Sequence, residues 1–269
     1  MTQQASESTP QSKAHQKPKV IAVASGKGGV GKTWFSITLT HWFAKQGRST
    51  LLFDSDLGLA NVDIQLGLTP DVDLGTALSN NQSIEKAKMR YEEGNFDIIA
   101  GRSGSGALAA IPASRMASMR EELKEMSDQY DNTIIDLGAG VERSIRSMAK
   151  DADTIIVISN DEPTSLTDAY TFIKVTLAEE PGRDIRIVIN AAHSKQEGEK
   201  TYQTLLKACR GFLKHEPPLL GIIRRDRRVP ESIRAQTPIL KRHPNSDAAD
   251  DVEMIARALL GGESKAAAQ

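Results

Sequence analysis

Residues 26–33 read Gly26-Lys27-Gly28-Gly29-Val30-Gly31-Lys32-Thr33 and match the pattern G-x-x-x-x-G-K-[ST]. The run before them, Val20–Ala24, is apolar throughout and predicts a buried strand, and Thr33–Gln46 after them has a helical pattern. A strand, a glycine loop and a helix in this order predict a phosphate-binding loop, because glycines let successive backbone N–H groups point inward at the phosphates. A glycine-rich turn with a surface lysine is the alternative, and it leaves the flanking strand and helix unexplained.

Two side chains of this loop have predicted roles in holding a nucleotide. Lys32 is expected to reach the β- and γ-phosphates of ATP, or the β-phosphate of ADP, and the Thr33 hydroxyl to ligate Mg²⁺. The sequence therefore predicts a Mg²⁺-dependent nucleotide site.

Three carboxylates follow apolar runs and are candidates for the same site. Asp54 and Asp56 end the run Thr50–Phe53, and Asp136 ends Thr133–Ile135. One of the first pair could assist Mg²⁺ while the other orients or deprotonates the attacking water, since phosphoryl transfer depends mainly on positioning. Asp136 is expected to hold Mg²⁺ through a water molecule. For Asp54 alone, capping of the following turn is an open alternative.

The chain alternates short apolar runs with helical patterns from Val20 onward. This alternation predicts the α/β class: a single P-loop NTPase domain with a mostly parallel, twisted sheet and helices on both faces. We expect a disordered tail over 1–19, the ATPase domain over 20–260 and a flexible tail over 261–269. The further strand candidates are Asp97–Ala100, Thr154–Ile158, Ile185–Ile189 and Leu219–Ile223, and the further helix candidates are Pro112–Gln129, Val141–Lys150, Ser165–Ala178, Gln196–Leu213 and Ala248–Leu260.

Composition excludes several classes of protein. The formal net charge is −1, so any contact with nucleic acid or anionic lipid must come from a local patch. The single cysteine, Cys209, rules out an internal disulfide and an iron–sulfur or zinc cage of thiolates. We expect a cytoplasmic protein. The basic run 224–228 could contact DNA, a partner or the nucleotide, although charge runs usually face water.

The extra lysine of the loop, Lys27, resembles the signature residue of the deviant Walker A motif in the MinD/ParA ATPase superfamily. The resemblance implies an ATP-dependent homodimer in which Lys27 crosses the interface to the partner's nucleotide, joining Lys32 in slow, dimer-coupled hydrolysis. It also implies that Asp56 positions the attacking water. A cation delivered from a second subunit would neutralise charge on the transferring phosphoryl group.

Three further segments resemble the flagellar-number regulators of that superfamily, FleN and FlhG. They are Asp56–Asp63 with Leu66–Leu68, Asp161–Tyr170 and Asn190–Ser194. This resemblance implies an ATPase, at the cell pole or elsewhere in the cytoplasm, that limits flagellar number by restraining a flagellar transcription activator. A signal-recognition-type GTPase is the second partner it implies.

The same resemblance assigns the base side of the site. Asn190 would hydrogen-bond adenine, and the loop around Asp226 would close over the base. Trp34 stands where relatives carry a small or polar residue, but that position serves phosphate through its backbone N–H. Arg224 replaces a usual proline, which puts the base clamp in question.

Other functions of the superfamily are weighed against this one. A ParA- or MinD-like positioning or segregation ATPase would act on DNA or on a cell-division partner, and near-neutral charge makes DNA binding the weaker expectation. A small-molecule phosphotransferase would not need Lys27. The last helix carries Asp250, Asp251 and Glu253 and gives no support for membrane targeting, and the N-terminal tail lacks the motif that some relatives use on their GTPase.

Overall fold

The computed structural model describes residues 19–56, 60–101 and 112–261. The two predicted tails therefore lie almost wholly outside the described residues, as do Leu57, Gly58 and Leu59 of the segment after the second strand. Regular structure runs from Val20 to Leu259, within the domain predicted over 20–260. Those domain limits stay a prediction.

One twisted sheet organises the described part of the chain. Its eight strands lie in the order β3-β4-β2-β5-β1-β6-β7-β8. All neighbours are parallel except β3 and β4 at the edge, which are antiparallel. The strands are β1 (Val20–Ser25), β2 (Thr50–Asp54), β3 (Lys88–Tyr91), β4 (Phe96–Ile99), β5 (Asn132–Ala139), β6 (Thr154–Ser159), β7 (Ile185–Ala192) and β8 (Leu219–Arg224). The predicted fold class is confirmed.

Helices cover both faces of this sheet. The six predicted helices are present, and the short ones were missed because four to seven residues carry too little periodicity to read. A 3₁₀ turn covers Ile84–Ala87, and a π-helical turn, Cys209–Leu213, extends the seventh helix. The helices of the described residues are α1 (Lys32–Lys45), α2 (Val62–Leu66), α3 (Leu74–Ser79), α4 (Ala113–Ser127), α5 (Arg143–Ala149), α6 (Pro163–Glu179), α7 (Lys195–Ala208), α8 (Arg228–Arg234), α9 (Ile239–Arg242) and α10 (Asp247–Leu259).

The central strands are largely apolar because each packs on both faces. In β1, Ala22 and Ala24 belong to one buried cluster and Ile21 and Val23 to the other. The first cluster includes residues of α3 to α7, and the second includes residues of α1, α9 and α10. Burying one large apolar side chain contributes about 1.5–3 kcal/mol, so two such layers fix strand register on both faces.

One strand, β3, was not predicted, and the start of one helix, α6, was misplaced, each for a physical reason. β3 was not predicted because its residues Lys88–Tyr91 are mostly half-buried or exposed at the sheet edge. The helix predicted over Ser165–Ala178 begins earlier: α6 starts at Pro163, a residue favoured at the first helical position. The Ser165 hydroxyl lies 2.9 Å from that of Ser159. Gly47 follows the C-cap of α1 with a left-handed φ of 76°, which favours glycine at a helix end.

Because the strands are parallel, their carboxyl ends lie at one edge of the sheet. That edge carries the loop after β1 and the ends of β2, β5, β7 and β8, which are the segments singled out from the sequence. No helix among the described residues is long and apolar enough to cross a membrane.

Candidate functional site

The glycine loop joins β1 to α1 and has a backbone that only glycine accepts easily. Gly29 and Gly31 have φ of 80° and 94°. A methyl group built on Gly31 would lie 2.3 Å from Nδ2 of Asn190, and one on Gly26 would lie 2.2 Å from the carbonyl carbon of Asp168 in α6. The loop is therefore pressed between β7 and α6, and side chains at these glycines would collide with both.

The two lysines of the loop have different surroundings. Lys32, the first residue of α1, is buried with 8% of its surface exposed. Lys27 is more exposed, and its ammonium group makes an ion pair with Glu162 and donates to the Thr164 hydroxyl at 3.0 Å. This contact lowers the pKa of Glu162, mainly through the hydrogen bond from Lys27. Lys32 is thus an internal cation, and Lys27 is a surface cation held by the start of α6.

Sequence reasoning gave Glu162 and Thr164 no role. Both lie in the segment Asp161–Tyr170 that carried the resemblance to the flagellar regulators, so the segment was found and its contact with Lys27 was not. Glu162 is also held by Asn160, whose Nδ2 donates to it at 3.1 Å. The signal was an acidic residue directly before a proline at a helix start, a pattern too common to indicate a partner.

Asp136 lies in β5 beside the start of α1. Its carboxylate accepts from the Thr33 hydroxyl at 2.7 Å and from the Ser36 hydroxyl at 3.0 Å. Burial raises the pKa of Asp136, while Lys32 and the two hydroxyl bonds act in the opposite direction. Thr33 and Asp136, both predicted Mg²⁺ ligands, are thus in direct contact, and Ser36 is a partner that the motif does not include.

Asp54 ends β2 directly opposite Asp136 in the strand ladder. It is 1% exposed, and its carboxylate accepts backbone N–H bonds from Asp56, Asn61 and Val62 at 3.0, 3.2 and 3.2 Å. Burial, followed by the charge of Asp136, raises the pKa of Asp54 to about 8. The structure thus shows Asp54 holding the following segment, which was the alternative weighed for it, and its role as a metal ligand stays a prediction.

Asp56 is half-buried beside the end of β5. A methyl group built on Gly138 would lie 3.6 Å from the carboxyl carbon of Asp56. The carboxyl group therefore faces the glycine-bearing segment after Asp136. This places Asp56 at the same strand edge as the loop, as its predicted task of orienting water requires, and that task stays a prediction.

These groups form an oxygen-rich corner suited to a hard cation. Among the described residues, no group of three or more His, Cys, Asp or Glu side chains could hold a metal ion. Mg²⁺ commonly takes one or two carboxylates and completes its shell with water and phosphate. Thr33, Asp54 and Asp136 fit that donor set, and the open glycine cradle beside them fits a polyphosphate.

The predicted base-side residues lie at the ends of β7 and β8. Asn190 is 8% exposed and donates from Nδ2 to the Val30 carbonyl at 2.7 Å. The next residue, Ala191, has a left-handed φ of 54°. The Asp226 carboxylate accepts from the N–H of Arg228 at 2.8 Å and of Ala248 at 3.4 Å. Asn190 therefore contacts the loop itself, while Asp226 stabilises its own segment.

Trp34 and Arg224, the two departures from the family pattern, are both accommodated. The Trp34 side chain is 4% exposed and belongs to the apolar cluster on the α1 face of the sheet. Arg224 is bound by Asp251 and Asp247 and is not a freely solvated member of the basic run. Arg225 and Arg227 are exposed, as expected of a charge run.

A cavity of about 350 Å³ lies elsewhere, at the amino edge of the sheet. Its walls include Lys19 directly before β1, Arg120 of α4, and Asp151 and Asp153 just before β6. None of the predicted nucleotide-site residues lines it. The chemistry of the loop and its carboxylates, and not the size of a cavity, identifies the functional edge.

Comparisons with known proteins agree with this geometry. The family model described as "CobQ/CobB/MinD/ParA nucleotide binding domain" matches residues 21–239. The antiactivator FleN of Pseudomonas aeruginosa is 33% identical over 239 residues, covering 89% of this chain and 85% of that protein. The flagellum site-determining protein YlxH of Helicobacter pylori is 27% identical over 243 residues, covering 90% and 82%.

Among solved structures, the septum site-determining protein MinD of Pyrococcus horikoshii, complexed with Mg-ADP, superposes with a TM-score of 0.75. It is 25% identical, and the match covers 90% of this chain and 95% of that one. The family match spans most of the domain and includes the loop, the carboxylates and Asn190. The chain belongs to the CobQ/CobB/MinD/ParA nucleotide-binding family and is an ATPase of its MinD/ParA branch.

Proposed function

We propose that the protein is a Mg²⁺-dependent ATPase switch that dimerises on binding ATP and limits flagellar number by antagonising a flagellar transcription activator. The observation that carries the proposal is the 33% identity to the antiactivator FleN across 89% of the chain. The similarity to a flagellum site-determining protein points to the same cellular process. The two unequal lysines of one loop supply the physical basis for a switch.

Hydrolysis needs few groups, and each has a candidate. Lys32, buried at the start of α1, neutralises charge on the β- and γ-phosphates. Thr33, Asp54 and Asp136 would hold Mg²⁺, which supplies charge neutralisation on the phosphate oxygens when bound. Asp56, beside the end of β5, orients or deprotonates the attacking water. The N–H groups of residues 28–34, among them that of Trp34, cradle the phosphates.

Dimerisation gives Lys27 its role. Its ammonium group is paired with Glu162 and Thr164 at the surface of α6. Side chains at a protein surface are available to a second copy, and a cation brought to the partner's phosphates acts as an arginine finger does. In the proposed dimer Lys27 leaves or shares its contact with Glu162 and reaches across, which makes hydrolysis depend on assembly.

The proposed partners are a second copy of the chain, a flagellar transcription activator and a signal-recognition-type GTPase. We place this activity in the cytoplasm, with the cell pole as the site of action. Neither DNA nor the membrane is a proposed ligand. The exposed basic run is short, and its first residue, Arg224, is bound by Asp247 and Asp251.

Positioning of the division site or of DNA is the second candidate function. It is favoured by the similarity to MinD of P. horikoshii, which superposes over 90% of this chain. The two candidates share the ATP-driven dimer and differ in the partner that the dimer binds. Binding experiments with the ATP-bound dimer therefore decide between them.

The first experiment measures molar mass by light scattering with ATP, ADP and no nucleotide. The wild type is expected to dimerise with ATP alone. Lys32→Ala should stay monomeric because the main phosphate cation is absent, and Asp56→Ala should remain dimeric because the cradle is intact while water is not positioned. Lys45→Ala, an exposed lysine at the end of α1, is the matched control. A wild type that stays monomeric with ATP would remove the switch.

The second experiment uses the Asp56→Ala dimer as bait. Purified flagellar transcription activator from the same organism is titrated into the ATP-bound dimer and into the ADP-bound wild type. Binding restricted to the dimer supports antagonism. Binding of DNA with steep salt dependence, without binding of the activator, would replace this proposal with the segregation function.

A further inference from the structure

We propose that Arg224, Asp251 and Lys195 form a clamp that positions the adenine side of the nucleotide site, acting through Asn190 and Asp226. The proposal rests on the assignment of these two residues to the base, and it does not depend on dimerisation. The three clamp residues come from β8, α10 and α7. None of them belongs to the phosphate loop or to the carboxylates near it.

Asp251 is the centre of the clamp. Its side chain is fully buried, and it accepts from the Arg224 backbone N–H at 2.8 Å, from Nε at 3.0 Å and from Nη2 at 3.0 Å. Nζ of Lys195 lies 2.6 Å from Oδ1 of Asp251, the oxygen that also accepts from Nη2 of Arg224. A bidentate arginine–carboxylate pair is directional as well as strong, so the end of β8 is fixed in both position and orientation.

The same clamp holds the strand that carries Asn190. Lys195 donates to the Ile222 carbonyl of β8 at 2.6 Å, and Arg224 is paired with Ala192 of β7. Between Ile189 and Ala192 the β7–β8 register shifts. Asn190 therefore sits on an irregular stretch of β7 whose far end is anchored to Arg224.

Asp226 is attached to the clamp from the other direction. The Arg225 N–H donates to the Ala192 carbonyl at 2.8 Å, which ties the start of the loop to β7. The Asp226 carboxylate accepts from the N–H of Ala248, a residue of α10 one turn before Asp251. Both predicted base-side residues are thus connected to the segments that Asp251 holds in place.

The chemistry of Asn190 explains why this placement matters. One N–H of its amide is used by the Val30 carbonyl, which leaves the second N–H and the carbonyl oxygen for a base. A donor and an acceptor side by side match the ring nitrogen and amino group of adenine only when the amide plane is correctly oriented. Such sites require placement to about 0.5 Å, which a strand irregularity alone does not provide.

Arg224 also explains how the chain tolerates its departure from the family pattern. The N–H of Arg224 donates to Asp251, outside the ladder with β7. A proline at this position, as the resemblance leads us to expect in relatives, would sacrifice no ladder bond. In this chain the position is held by two charged hydrogen bonds from the arginine side chain, where a proline would hold it by the stiffness of its ring.

The test measures binding of ADP and of pyrophosphate to Asp251→Asn by isothermal titration in the presence of Mg²⁺. The substitution keeps the size of the side chain, and Arg224 and Lys195 are 33% and 45% exposed, so the released cations can turn to water. We expect ADP affinity to fall about tenfold, the equivalent of one hydrogen bond to the base at about 1.4 kcal/mol. Pyrophosphate affinity should change less than about twofold, well inside that tenfold step.

Glu253→Gln is the matched control, because it removes from the same helix a carboxylate that is 42% exposed and paired with Arg257, and it should change neither affinity. If Asp251→Asn does not fold, Arg224→Gln carries the same expectation from a partly exposed position. A parallel fall in ADP and pyrophosphate affinity, or an unchanged ADP affinity, overturns the clamp. A wild type that binds ADP no better than pyrophosphate overturns the clamp and the base assignment together, while ATP-driven dimerisation is judged separately by light scattering.

Discussion

Replacing Asn190 by alanine tests whether the base side of the site also supports the phosphate loop. The Asn190 amide donates to the Val30 carbonyl at 2.7 Å. Val30 is 5% exposed, so water has little access to that carbonyl group once the amide is removed. The substitution therefore leaves a buried acceptor without its partner in the centre of the glycine loop.

The size of the effect follows from this burial. A buried polar group left unpaired costs about 1–3 kcal/mol, whereas an exposed substitution stays within about 0.5 kcal/mol. We expect Asn190→Ala to lower the free energy of unfolding by about 1–3 kcal/mol. Asn190→Asp should lower it further at neutral pH, because a carboxylate oxygen would face the Val30 carbonyl oxygen.

The assay is urea denaturation followed by circular dichroism, without nucleotide, with Asn245→Ala as the control because Asn245 is exposed. The linear dependence on denaturant gives the free energy in water for each variant. If Asn190→Ala unfolds within about 0.5 kcal/mol of the wild type, the amide does not brace the loop and the reasoning is refuted. A loss in Asn190→Ala with none in Asn245→Ala supports it.

Three further predictions concern the loop, the dimer and pH. Gly31→Ala should abolish ADP binding measured by titration, since φ of 94° and a 2.3 Å approach to Asn190 exclude a methyl group; unchanged affinity would contradict this. Lys27→Ala should bind ADP as the wild type does and yet fail to dimerise with ATP in light scattering, so a normal dimer would exclude its role across the interface. Burial, with Lys45 and Lys241 nearby, lowers the pKa of His41 from 6.5 to about 4. The neutral ring therefore stabilises the fold above pH 6.5, and about 3 kcal/mol should be lost between pH 6.5 and pH 4 in denaturation curves, a loss that His41→Gln should reduce.

The sheet and the phosphate loop could be predicted from the sequence because each is specified by residues close together in the chain. Short apolar runs, from Thr133–Ile135 to Thr154–Ile158 in length, indicated the parallel strands, and a glycine motif between a strand and a helix located the loop. The edge strand Lys88–Tyr91 was not found, since its pattern depends on which side faces solvent. The start of α6 was misplaced for a related reason: a serine at a plausible cap position is also a good partner for a neighbouring strand residue, here Ser159.

Contacts between distant segments could not be read in the same way. Asp54 and Asp136 were identified as candidates, but their adjacency and the raised pKa of Asp54 depend on the ladder between β2 and β5. Glu162, Ser36 and Asp251 were left without a role because each acts on a residue far away in the chain. These hydrogen bonds join residues that are 27 to 135 positions apart in the chain. Such residues are brought together by the order of the strands, which no local pattern specifies.

The position of the glycine loop between α6 and β7 gives a physical reason for coupling nucleotide, base and partner. At its start, Gly26 is pressed against Asp168 and Lys27 is bound by Glu162, both on the α6 side. Five residues later, Gly31 and Val30 are in contact with Asn190 on the base side. The two ends of the loop are packed against α6 and β7, whereas Gly28 and Gly29 between them are exposed. We therefore expect phosphates bound by the loop to affect the contacts of Lys27 and of Asn190 together, as the proposed nucleotide-controlled dimer requires.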